Sequence, residues 1–87
     1  MMEALREKFL LRCEEDLPVV RNGLSDPSFK LVVHRLAGVA PMFGFDALGQ
    51  AALEVDDELC AARAPEQGLV DAVTRALEEA LDSSKTP

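Results

Sequence analysis

Four stretches of this chain carry apolar residues at spacings of three and four, and glycine or proline signals separate them. A period near 3.6 residues buries one face of a helix, and short breaks make successive helices antiparallel neighbours. No run of strict alternation is long enough for a strand. The pattern predicts an all-α fold, an antiparallel up-down-up-down four-helix bundle, with residues 1–87 as a single domain.

The first helix is expected from about Glu3 to Leu24, with Leu5, Phe9, Cys13, Leu17, Val20 and Leu24 on its buried stripe. Pro18 lies inside it and predicts a kink near Glu14. "NGLSDP" ends it. Asp26 is an N-cap residue type and Pro27 suits a first helical position, so a second helix should run from there to about Met42. Its buried face is Phe29, Val33, Leu36, Ala40 and Phe43, and Gly44 closes it. The third is expected from Asp46, as N-cap, to Ala62, burying Leu48, Ala52, Val55 and Leu59 beneath an acidic outer face, "EVDDEL". The fourth should start at Pro65 and reach about Asp82, burying Val70, Val73, Leu77 and Ala80 or Leu81. Residues 83–87 read as a frayed tail.

Composition narrows the function. Hydrophobic residues make up 48% of the chain, enough for a core. A formal charge of −7 argues against nucleic acid and against anionic membrane surfaces, since both demand a basic face. No apolar run approaches the ~20 residues of a membrane span, and the charged start "MMEALREKFLLRCEED" does not read as a signal peptide. A cytoplasmic protein is expected. Cys13 and Cys60 have no metal-type spacing. They read as free thiols packed like small hydrophobes, with a disulfide or a reactive thiol as alternatives.

The single histidine, His34, sits in "VVHRLAGVAPMFGF". At 100° per residue it lies about 140° to 150° from the centre of the buried stripe, so it faces outward. Its neighbours one turn away are Lys30, Leu31, Ala37 and Gly38, with Pro41 two turns on. Gly38 costs a helix interior about 1 kcal/mol relative to alanine, and Pro41 removes the hydrogen bond to the carbonyl of Ala37. Together they clear space around the ring. One histidine is too few for a zinc site, so no metal is expected, and no serine is near enough in sequence for a triad. A lone imidazole can still act as a nucleophile that carries a group covalently. Lys30 and Arg35 would attract the oxygens of a phosphoryl group. The plain alternative is an ordinary surface histidine.

"HRLAGVAPMFGF" resembles the signature of histidine-containing phosphotransfer domains. His34, Leu36, Gly38, Phe43 and Gly44 occupy the places of its histidine, leucine, glycine and phenylalanine–glycine pair. "FLLRCEEDLPVVRNGL" is similar to the family's preceding helix and "DALGQAALEVDDEL" to the following one. The resemblance implies that His34 is the phosphorylated residue and that Gly38 gives a receiver domain's loops access. Partners would be response-regulator receiver domains, a hybrid sensor kinase, or both. The chain would carry a phosphoryl group without kinase activity or a cofactor of its own, because Mg²⁺ and the acidic residue belong to the receiver. Lys30, Leu31, Arg35, Ala37, Gly38 and Pro41 would form the phosphoryl- and receiver-binding surface. Two residues depart from the pattern: Ala37 stands where many members carry lysine, and Pro41 is unusual. A monomer is expected. The runner-up is a non-catalytic helical adaptor or dimerisation module using the same face. A small enzyme ranks third, for want of a second catalytic group.

Overall fold

The computed structural model describes the backbone of residues 2–85 and the side chains of residues 4–83. Four helices pack together, with no strand among the described residues: α1 (Met2–Asn22), α2 (Phe29–Val39), α3 (Asp46–Cys60) and α4 (Gln67–Lys85). Short 3₁₀ segments, Gly23–Ser25 and Ala40–Phe43, follow α1 and α2.

Contacts fix the directions. Phe9 stacks on Phe43 while Asp16 pairs with Arg35, so α1 and α2 run antiparallel. Pro41 meets Gly49 while His34 meets Asp56, so α2 and α3 do too. Arg21 pairs with Glu78 and Gly23 lies beside Val70, which sets α4 antiparallel to α1. This is the expected up-down-up-down bundle.

The core follows the helical spacing. Phe29, Leu36, Leu48, Leu77, Val20, Val33, Val55, Val73 and Cys13 are fully buried. All five residues expected on α4 and all four on α3 are inside. The α1 stripe is shorter than expected. Leu5 and Leu24 are more than half exposed, and Leu17 is only half-buried. Near its ends the helix has fewer neighbours to lean on.

Several boundaries differ from the sequence reading, each for a local reason. α1 passes through Pro18 as one helix. Glu14 and Pro18 are both exposed, so water can reach the carbonyl that proline leaves without a donor. Asp26 is not the N-cap of α2: Ser28 holds that place without a side-chain bond, and Asp26 Oδ1 instead accepts the Ser28 N–H at 2.9 Å in the turn before the helix begins at Phe29. α2 ends at Val39, short of Met42. Pro41 has no N–H for the carbonyl of Ala37, and the chain tightens into 3₁₀ geometry at Ala40. Gly44 then takes φ +85°, the left-handed conformation expected of it. Asp46 is the first helical residue of α3 rather than a side-chain cap. α3 stops at Cys60 in a Schellman turn: Arg63 N–H donates to Glu58 and Ala62 N–H to Leu59, with Ala62 at φ +59°. α4 begins at Gln67, after Pro65, and extends to Lys85, so Ser83 to Lys85 are helical rather than frayed. Thr86 and Pro87 lie outside the described residues.

The phenylalanine–glycine pair has a packing role. Phe43 stacks on Phe9 with ring centroids 5.1 Å apart, and Phe45 does so at 5.8 Å while the Arg6 guanidinium lies over its ring, 4.9 Å from the centroid. The α2–α3 turn is thereby pinned to α1, which holds the histidine helix in place.

Candidate functional site: an outward imidazole on α2

α2 is eleven residues long, and its inner face is Phe29, Val32, Val33 and Leu36. Those four fix its rotation and leave His34 outside. The imidazole is 73% exposed. A Cβ added at Gly38, one turn on, would meet no neighbouring group within 4 Å. The cleared surface read from the sequence is therefore real open space.

The remaining candidates divide. Lys30 and Leu31 are exposed one turn back, Leu31 at 70%. Ala37 is half-buried against the core. Pro41 is exposed, yet its ring also lies over Gly49, where an added Cβ would come within 2.5 Å of Cγ. Arg35, expected to help hold the phosphoryl group, has a partner on another helix. Its guanidinium binds the carboxylate of Asp16 on α1, which is only 7% exposed. A buried carboxylate demands a counter-charge, and Arg35 points along α2's α1 side to supply it.

The sequence reading missed Asp56, which it took for part of a solvated acidic face. Its Oδ2 and Oδ1 lie 3.2 and 3.3 Å from His34 Nδ1, and its side chain is 15% exposed. A signal for it existed in the chain. Gly44 turns α2 back on itself, so positions equally far from Phe45 face each other. Pro41 and Gly49 are four residues either side, and His34 and Asp56 are eleven either side.

Chemically, the Asp56 carboxylate selects a tautomer of the neutral ring. A neutral imidazole carries one proton, and the nitrogen with the hydrogen-bonded N–H is not the nucleophile. A carboxylate can only accept, so the contact with Asp56 calls for the proton on Nδ1, and in the neutral ring that tautomer keeps the lone pair on Nε2.

The expected packing of both cysteines holds for one of them. Cys13 is buried and Cys60 is exposed, and both are free thiols. Burial first, and the nearby Asp16 second, push the Cys13 thiol up to about 12. It stays protonated and inert. Among the described residues no three His, Cys, Asp or Glu side chains gather as a metal site, and no helix is long and apolar enough to cross a membrane.

A four-helix bundle that presents one exposed imidazole over a bare helix face has the geometry a covalent group carrier needs. The sequence profile of the Hpt domain matches residues 4–86, and the chain belongs to that family. No curated protein and no solved structure gives a match. Hpt domains are histidine phosphotransfer carriers in phosphorelays, not kinases, and they interact with receiver domains and kinases.

Proposed function

We propose that this protein carries a phosphoryl group on Nε2 of His34, taking it from one receiver-domain aspartate and passing it to another. The observation that supports this is the ring itself: outward, open over Gly38, and held by Asp56 so that Nε2 is free. The Nε2 lone pair attacks phosphorus as the donor's carboxylate oxygen leaves, and the reverse displacement delivers the group. Such a transfer needs alignment and charge neutralisation more than covalent help. Mg²⁺ on the receiver supplies most of the positive charge, because Arg35 is committed to Asp16 and Ala37 supplies none. Lys30 is the nearby cation of this chain's own. The exposed Leu31 and the open surface at Gly38 form the docking face.

Labelled transfer from a phosphorylated receiver tests the reading. The wild type should take up acid-labile label, and His34→Gln should take up none while keeping its helicity. Label on the variant would end the proposal. Gly38→Ala should raise stability by about 0.5–1 kcal/mol, since nothing obstructs the new Cβ and helix propensity improves. Gly38→Phe should fold equally well and slow transfer by about a hundredfold, the cost of a small misplacement at a reacting centre. Normal transfer by that variant removes any role for the cleared surface. A second reading, a binding module without chemistry, draws on Ala37 in place of the family's lysine. It requires receiver binding with no label.

A further inference from the structure

We propose that Asp56 is the counter-ion of the phosphorylated ring, and that by holding the Nδ1 proton in place it makes the phosphoryl group on His34 kinetically labile. The inference rests on the carrier reading above. Both Asp56 oxygens lie within 3.3 Å of Nδ1. At 15% exposure the carboxylate is far less solvated than the ring, so its charge is felt more strongly there. Among the described residues it has no other ion-pair or hydrogen-bond partner that would neutralise it.

The other charged and titratable groups around this face do not compete. Lys30 lies one turn back on α2. Arg35 is taken by Asp16 of α1. On α3, Asp57 follows Asp56 and Cys60 comes one turn later. Among the described residues none of these hydrogen-bonds or ion-pairs with Nδ1.

The bonding makes the consequence plain. When Nε2 attacks phosphorus, a ring that keeps its Nδ1 proton becomes a cation. On discharge the P–Nε2 bond breaks, its electron pair returns to Nε2, and the phosphoryl group joins the acceptor's carboxylate oxygen. The ring leaves as the neutral Nδ1–H form it started from, and no proton moves in either direction. If the loaded ring lost its Nδ1 proton, the leaving group would be an imidazolate, which is far poorer. A carboxylate against Nδ1–H stabilises the cation and keeps that proton in place. A neutral amide could accept the same hydrogen bond without supplying the charge.

Phosphoramidate, a small-molecule donor, loads histidine without any receiver and so separates this inference from questions of docking. Loaded wild type and Asp56→Asn are followed by ³¹P NMR at mildly alkaline pH. The expected result is a phosphohistidine lifetime about three- to tenfold longer in Asp56→Asn. An equal or shorter lifetime overturns the inference and leaves the carrier reading standing. The wild type also gives a test of its own, free of any folding defect in the variant. Its loaded ring should show a protonated Nδ1 by ¹⁵N shift under the same conditions, and an unprotonated Nδ1 overturns the inference. A wild type that forms no phosphohistidine at His34 overturns both readings.

Discussion

His34 and Arg35 are adjacent in sequence and serve different neighbours, because one residue turns a helix by about 100°. His34 faces solvent and α3, whereas Arg35 faces α1. Arg35→Met would strand the carboxylate of Asp16 in a nearly closed site. Urea unfolding should show a loss of about 3 kcal/mol, the scale for a buried charge left alone. Asp16→Asn combined with Arg35→Met should recover most of that loss. Phosphohistidine formation from phosphoramidate should survive in both variants. A block in Arg35→Met under conditions where it remains folded would return that residue to the site. The pairing was not readable from the chain. Asp16 looks like any acidic residue of α1, and its burial follows from where α2 lands.

At the level of elements, the α2–α3 hairpin sets the site. Pro41 and Gly49 interlock across it, and the same register brings Asp56 to the histidine. In the sequence Pro41 reads as an oddity. Packed together, the two residues explain each other: the proline ring occupies the volume a side chain at 49 would need. A Cβ there would lie 2.5 and 2.7 Å from Cγ and Cδ of Pro41. Gly49→Ala should therefore cost about 1–3 kcal/mol, the range for an overpacked core. Combining it with Pro41→Ala should restore most of the thermal stability. Losses that simply add would show that the two residues do not meet.

For the molecule as a whole, the buried face of α1 ties the bundle together. Phe9 holds the α2–α3 turn, and Cys13 and Val20 sit in the centre. The Cys13 thiol gives the core a pH signature. Its ordinary value is 9.0, and burial, reinforced by Asp16 and opposed by Arg35, raises it to about 12 in the folded protein. The folded state thus holds a proton that the unfolded chain releases. That contribution to stability is whole below pH 9.0 and is lost as pH climbs towards 12. Denaturant midpoints should fall more steeply over that interval for the wild type than for Cys13→Ala. Parallel curves would contradict the assignment. A thiol reagent on the native protein should modify the exposed Cys60 and spare Cys13.

Helical period and turn chemistry are local properties, and they were enough to place four helices, the α3 and α4 core faces, the left-handed Gly44 and the outward His34. Each depends on residues within a few positions of one another. The partners of those residues are another matter. Asp16 meets Arg35 across 19 positions and His34 meets Asp56 across 22. A shift of one residue in how the helices pack would undo either pair. The contact of Asp56 with Nδ1 and the pairing of Arg35 with Asp16 therefore came from side chains that chain folding brings together, which no periodicity along the sequence encodes.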